Sequence, residues 1–230
     1  MRIMKNLCAA VALGTALFCA STSHATPVSF VTVGTFISGD ASGTSVYSDI
    51  ANGVNIAFTS SIGNDVDVPP ASQVSFGQFD SSATTAPNFV AVNATFYLNI
   101  FQTIPAPISA NPPSTQFPPP IPPGVLEFVG SLSGTLRVSN SQAFVDFGPG
   151  ASGTILGAGG ITTLYSIISA DGGTPGRVAI SAPQANNGLT TIAGLVNAVV
   201  PEPSSLVLLG LGAPVLLVYR ARRNRVAAAA

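Results

Sequence analysis

The chain has 230 residues, enough for one ordinary domain or two small ones, and only 7% of them are charged. Residues 26–200 carry two arginines against eight carboxylates, which gives this region a net charge of −6. Two cations cannot form a basic surface for phosphate groups, so the composition excludes nucleic-acid binding.

The first 25 residues have the three regions of a secretory signal peptide in order. Arg2 and Lys5 supply a positive start, and residues 7–20 supply a short apolar run. Ser23-His24-Ala25 then places small residues where a signal peptidase reads them, so we predict cleavage after Ala25. An uncleaved anchor is the alternative, but the apolar run is short for a bilayer span.

Cleavage at this point removes most reactive side chains from the mature protein. All cysteines, lysines, methionines and the histidine fall in the signal peptide: Cys8, Cys19, Lys5, Met1, Met4 and His24. The mature chain therefore lacks disulfides, zinc ligands and the nucleophile and base of most catalytic arrangements. We expect no enzymatic activity and a fold that rests on its hydrophobic core.

Between the two ends, short runs alternate apolar and polar side chains with the two-residue period of β-strands. The candidate strands are Val28–Ile37, Val54–Thr59, Val74–Phe76, Phe89–Val92, Thr95–Thr103, Val125–Val138, Ala143–Phe147, Ile161–Ile168 and Arg177–Ser181. Turn residues separate them at Ser38-Gly39-Asp40, Gly63-Asn64-Asp65, Asp171-Gly172-Gly173 and Asn187-Gly188. This rhythm predicts an all-β chain with one β-sandwich or jelly-roll domain over residues 26–200. Leu189–Val199 fits either a short helix or a last strand.

A proline-rich segment, Pro105 to Pro123, interrupts this rhythm. Nine of its nineteen residues are proline, and each lacks the N–H that a central strand needs. We predict a long surface loop that crosses between sheets. A rigid spacer between two small domains, or a ligand for a proline-recognising groove, is the alternative.

The last thirty residues differ from everything before them. Pro201-Glu202-Pro203 ends the preceding structure, since proline fixes φ and has no N–H to donate. Ser204–Tyr219 then runs sixteen residues without a charge, about 24 Å as a helix. Four arginines follow, and they are Arg220, Arg222, Arg223 and Arg225. This order predicts a membrane helix with a cytoplasmic C-terminus and an exported β domain.

These three ordered parts resemble the PEP-CTERM sorting signal, a C-terminal tail of exported bacterial proteins. The resemblance covers Pro201, Glu202 and Pro203, the apolar stretch and the arginines, and departs mildly at Pro214 and Val226–Ala230. It implies that exosortase, a membrane protease-transferase, processes the tail after the secretion machinery has exported the chain. It also implies transient anchoring in the inner membrane, and a final place in the cell envelope or outside the cell. A plain C-terminal anchor is the alternative.

The remaining polar residues give weak candidates for chemistry. Asp65 and Asp67 alternate in an extended segment and are the closest pair of carboxylates in the sequence. Such a pair could bind calcium or act as the two carboxyl groups of a glycosidase. We favour two solvated turn carboxylates and no cofactor. Tyr47, Tyr97 and Tyr165 are the candidates for sugar stacking, provided that they form an exposed row on one sheet face.

We therefore predict a structural or interaction protein of the cell surface or extracellular matrix, associated with biofilm and exopolysaccharide in the manner that the resemblance implies. A carbohydrate-binding module of the same fold is the first alternative. A carboxylate-based glycoside hydrolase is the second, and it requires two carboxyl groups that face each other across a cleft at roughly 5 to 10 Å.

Overall fold

The computed structural model describes residues 25–38, 43–68, 71–113, 115, 124–149, 151–168, 174 and 176–200. Residues Ala25–Val200 form one compact unit. Ala25, the predicted cleavage residue, is exposed and lies immediately before the first strand. The rest of the predicted signal peptide and the whole predicted tail, residues 201–230, lie outside the described residues.

The described residues fold into β-strands joined by turns and three short 3₁₀ segments, as the all-β prediction requires. The strands are β1 (Thr26–Ile37), β2 (Val46–Asp49), β3 (Val54–Thr59), β4 (Ile62–Val68), β5 (Ser72–Asp80), β6 (Val90–Ala91), β7 (Ala94–Ile104), β8 (Pro107–Asn111), β9 (Val125–Ser133), β10 (Thr135–Arg137), β11 (Asn140–Ser141), β12 (Phe144–Asp146), β13 (Ser152–Gly157), β14 (Thr162–Ile167), β15 (Arg177–Ala179) and β16 (Leu189–Val199). The 3₁₀ segments are Ile50–Asn52, Ala158–Gly160 and Asn186–Gly188.

Two large antiparallel sheets make a sandwich-like arrangement, which confirms the predicted fold class. The six-stranded sheet has the order β15-β12-β9-β7-β1-β4, and the seven-stranded sheet has the order β2-β3-β5-β16-β14-β13-β8. A third, small sheet has the order β11-β10-β6. Because every pairing is antiparallel, each large sheet can turn one apolar face to the core and the other to water.

Aromatic side chains from both large sheets form the centre of the core. Phe30 on β1 contacts Phe76 on β5 and Tyr165 on β14, with 5.7 Å between ring centroids in both pairs. Phe96 on β7 lies 5.0 Å from Phe79 on β5. All five side chains are fully or almost fully buried. The alternation seen in the sequence therefore supplies the inner faces of two sheets that pack on each other.

Close packing between the sheets requires a glycine on β1. Gly34 points into the core, and a Cβ atom at this position would overlap the ring of Phe58 on β3. Phe58 is itself buried and lies 5.4 Å from the Phe96 ring. The missing side chain thus makes room for an aromatic ring from the opposite sheet.

The predicted turn at Gly63-Asn64-Asp65 is wrong, because these residues lie inside strand β4. The pairing of β4 with β1 shifts register between Val28 and Phe30, and Asp65 has a left-handed conformation with φ 49°. Turn-forming residues here make a β-bulge in an edge strand. They bend the strand without ending it.

The proline-rich segment also differs from the prediction, since it begins with a strand. β8 forms the edge of the seven-stranded sheet, where a missing N–H can face away from the neighbouring strand. Thr115 follows β8 in the chain. Its backbone N–H and its hydroxyl donate to the buried carboxylate of Glu127 on β9, at 3.1 and 2.7 Å. The segment therefore connects the two sheets, but it starts as a paired strand.

Leu189–Val199, which the sequence left open between a helix and a strand, is strand β16. It lies between β5 and β14, in the interior of the seven-stranded sheet. Ile192, Val196 and Ala198 are buried on its inner face. The predicted turn at Asn187-Gly188 is confirmed as the end of a 3₁₀ segment directly before this strand.

Candidate functional site

Asp65 and Asp67 lie on β4, the edge strand of the six-stranded sheet, and both are exposed. The Ser29 hydroxyl accepts from the Asp65 N–H at 3.0 Å and donates to its carboxylate at 3.4 Å. The left-handed conformation at Asp65 interrupts the alternation that would place both carboxylates on one face. Charged residues and a bulge are a common means of protecting an edge strand from pairing with another chain.

Other carboxylates accept hydrogen bonds from nearby backbone or side-chain groups. Asp80 accepts from the N–H of Ser82, and Asp146 accepts from the N–H of Gly148, both at 2.8 Å. Asp49 caps the 3₁₀ segment that follows it. None of these bonds joins two carboxyl groups. Among the described residues, no three Asp, Glu, His or Cys side chains come together as a metal site. The prediction of no cofactor, with calcium at Asp65 and Asp67 as its weak alternative, stays untested.

The three tyrosines do not form the exposed row that sugar stacking would need. Tyr165 lies in the core, on β14 of the seven-stranded sheet. Tyr47 packs against the core from β2 of the same sheet, and its ring lies 6.4 Å from Phe36. Tyr97 is half-buried on β7, in the other large sheet. The three rings therefore do not share one exposed face on which a sugar could stack.

Tyr165 instead belongs to a buried polar chain. Its hydroxyl donates to Gln102 Oε1 at 2.9 Å, and Gln102 Nε2 donates to the Pro105 carbonyl at 2.7 Å. This chain links β14 and β7, one strand from each large sheet. Burial raises the pKa of Tyr165 above its ordinary value of 10.0, so the phenol keeps the proton that it donates.

We expect this pKa shift to destabilise the protein at alkaline pH. Above about pH 10 an unfolded chain ionises Tyr165 whereas the folded chain keeps the proton, so the free energy of unfolding falls with pH by about 1.4 kcal/mol per unit. Urea unfolding at pH 8, 10 and 11 measures the slope. Tyr165→Phe should flatten it and cost about 1–3 kcal/mol at pH 8, because Gln102 Oε1 loses its donor. If the free energy of unfolding fell equally steeply with pH in both proteins, Tyr165 would not be the group with the raised pKa.

A groove of about 380 Å³, lined by both polar and apolar residues, lies along strand β15, at the end of the six-stranded sheet. Its walls come from residues 139–141, from residues 177–182, and from Asn186 with the first residues of β16. Arg177 is the cation of this groove, and its guanidinium carbon lies 3.2 Å from the centroid of the Phe144 ring. We call this feature the Arg177 groove.

The predicted processing site begins directly after the folded domain. β16 pairs with β14 up to Val199, which pairs with Thr162. Val199 is 64% exposed and Val200 is 43% exposed. Pro201 follows one residue later. A family model of the PEP-CTERM protein-sorting motif matches residues 199–225.

The match starts at the last residue of β16 and includes Pro201-Glu202-Pro203, the apolar stretch and all four arginines of the tail. The resemblance predicted from these residues is therefore confirmed. The PEP-CTERM motif indicates an exported protein that exosortase processes after transient anchoring at the membrane. No curated protein and no solved structure matches the chain significantly.

The recognition residues of the tail lie outside the described residues, and their roles stay predictions. They are Pro201, Glu202, Pro203, Arg220, Arg222, Arg223 and Arg225. The same holds for the predicted sorting helix, Ser204–Tyr219. Within residues 25–200, as far as they are described, no helix is long and apolar enough to span a membrane.

Sequence reasoning missed the Arg177 groove. One available signal was the position of Arg177, since it is one of only two cations between residues 26 and 200. The other, Arg137, also lies over an aromatic ring, with its guanidinium carbon 4.3 Å from the centroid of the Phe89 ring. The walls of the groove come from segments far apart in the chain, so only the fold brings them together.

Proposed function

We propose that this protein is a non-enzymatic structural or interaction component of the cell surface or extracellular matrix, delivered there by its PEP-CTERM tail. The observation that carries the proposal is the match at residues 199–225, which begins at the last residue of strand β16. A folded β domain therefore leads into a sorting signal without an intervening segment. Association with biofilm and exopolysaccharide is part of this proposal.

The chemistry of the domain supports a non-enzymatic role. Residues 26–200 contain no Cys, His or Lys, and so lack the side chains that most often act as nucleophile or base. The glycosidase alternative needs two facing carboxyl groups. Asp65, Asp80 and Asp146 each accept their hydrogen bond from a nearby serine or backbone group.

The sorting part of the proposal predicts a defined C-terminal truncation. In a host with exosortase, intact-mass spectrometry of the exported protein should show the loss of the apolar helix and the arginine cluster. Replacement of Pro201, Glu202 and Pro203 by alanine should abolish this truncation, because the recognised tripeptide is gone. The same host without exosortase serves as the control. An exported product that still ends at Ala230 in the exosortase-positive host would refute the proposal.

A further inference from the structure

The Arg177 groove differs in charge from the rest of the domain. Eight carboxylates lie between residues 26 and 200, yet none of the described residues that line the groove is acidic. Arg177 supplies a positive charge there. Since electrostatic attraction acts locally at physiological salt, an anion is favoured in this groove over the parts of the surface that carry the carboxylates.

The Arg177 side chain is held in place but keeps donors for a ligand. Its guanidinium stacks on Phe144, a neighbour on β12 of the same sheet. Stacking fixes the plane of the group and uses its face, whereas the N–H donors point from its edge. Among the described residues, no side chain or carbonyl accepts a hydrogen bond from the guanidinium.

The carboxylate opposite Arg177 in the sheet accepts a hydrogen bond from another group. Asp146 is the residue directly opposite Arg177 in the pairing of β12 with β15. Its carboxylate accepts a hydrogen bond from the Gly148 N–H at 2.8 Å, within its own turn. Within the part of the chain that the structure describes, Arg177 therefore has no carboxylate partner, and its charge can attract a carboxylate that approaches from the groove.

Neutral polar groups surround this charge. The Thr190 hydroxyl accepts from the Ser181 N–H at 2.8 Å and donates to the Ser181 hydroxyl at 2.9 Å, which fixes both groups in the wall. Asn140 adds an exposed amide. Because Val178 pairs with Val145, the N–H and C=O of the next residue, Ala179, point away from β12 on the groove side.

We propose that the Arg177 groove binds a sugar residue that carries a carboxylate, of the uronic acid class. Arg177 would pair with the carboxylate, and the hydroxyl, amide and backbone groups would bind the sugar hydroxyls. A volume of about 380 Å³ is at the small end of ligand pockets and suits one or two sugar rings. The site deepens the proposed interaction role and does not depend on how the tail is processed.

An acidic peptide that extends the sheet at β15 is the competing ligand. The observations favour the sugar, because β15 has only three residues and therefore offers a short edge for pairing with a peptide strand. Val178 and Ile180, two apolar residues of the lining, are themselves buried in the core. Strand addition relies on a longer edge with pockets for alternate side chains.

The test is calorimetric titration of the purified exported protein with trigalacturonate and with its methyl ester. The ester keeps the hydroxyls and removes the charge. We expect trigalacturonate to bind at least about tenfold more tightly than the ester, and added salt to weaken its binding. Galacturonate monomer in a third titration distinguishes a site for a single ring from a site for the polymer.

Two variants locate the site. Arg177→Gln should weaken trigalacturonate binding about tenfold, because a charge-assisted pair is lost. Arg137→Gln is the charge-matched control: Arg137 also lies over an aromatic ring and does not line the groove, although its backbone pairs with that of Asn140, and binding should stay within about twofold. Amide NMR shifts in the unsubstituted protein are a second readout that does not depend on variant folding, and Ala179, Ser181 and Thr190 should move.

Three results would overturn the proposal. They are equal affinity for the acid and its ester, NMR shifts that lie away from the groove, and tighter binding of a glutamate-rich peptide at the same amides. A normally truncated product that does not bind trigalacturonate would reject this site and leave the sorting function intact. A product that binds but is never truncated would reject the sorting function and leave this site intact.

Discussion

Phe96→Ala is expected to lower the free energy of unfolding by about 3–5 kcal/mol. The Phe96 side chain is fully buried, and its ring lies 4.7 Å from Phe36, 5.0 Å from Phe79 and 5.4 Å from Phe58. Removal of the ring leaves a cavity among neighbours that themselves belong to both large sheets. Since residues 26–200 contain no cysteine and hence no disulfide, a loss of this size is a large part of a typical domain's stability.

Urea unfolding of the protein at neutral pH, followed by far-UV circular dichroism, measures this effect. Phe89→Ala is the matched control, because Phe89 is 44% exposed and lies outside the buried cluster, beneath Arg137. We expect the control to cost about 1 kcal/mol or less, the loss of a partly exposed cation–π contact. Equal losses in the two variants would mean that the core is not centred on Phe96.

Two strands in the interior of the sheets, β3 and β7, were predicted from their sequences alone. Val54–Thr59 was predicted with the bounds that β3 has, since Val54, Ile56 and Phe58 all point into the core. Likewise, Phe96 and Leu98 on β7 face the core as their two-residue spacing requires. Burial of one face of a strand requires apolar side chains at every second residue, and this spacing is visible in the sequence before the fold is known.

Two edge strands, β4 and β8, were missed because local composition does not show how a strand is paired. Gly63-Asn64-Asp65 has turn residues, but an edge strand tolerates a bulge, and β4 continues through it. Pro107 was read as excluding a strand, but β8 has a partner on one side only, and its missing N–H costs no ladder bond there. Both outcomes depend on which strands are neighbours in the sheet, and the order of strands along the chain does not show this.

The sorting tail and the Arg177 groove also differ in how far the sequence alone could predict them. The tail is a linear signal, so Pro201-Glu202-Pro203 and the arginines that follow were recognisable from their order alone. The Arg177 groove combines Asn140, Arg177 and Thr190, which come together only through the pairing of β12 with β15 and the path of the chain into β16. Tyr165 was a candidate for sugar stacking only if it was exposed, and the structure instead places its hydroxyl in a hydrogen bond inside the core.

A chain that ends at Gly188 is expected not to fold, whereas one that ends at Val200 should fold as the exported protein does. The difference between them is β16, which pairs with β5 on one side and β14 on the other. Its removal splits the seven-stranded sheet and exposes two new edges. Circular dichroism and the cooperativity of urea unfolding distinguish the outcomes, with loss of a cooperative transition expected only for the shorter chain.

This contrast also limits where processing can occur. Cleavage at or after Pro201 leaves every described strand intact, so the truncated product should unfold at the same urea concentration as a chain ended at Val200. Cleavage before Val196 would remove a fully buried residue and part of the ladder to β14. A stable exported product whose C-terminus lies inside β16 would contradict this account, because an interior strand cannot be shortened without loss of core packing.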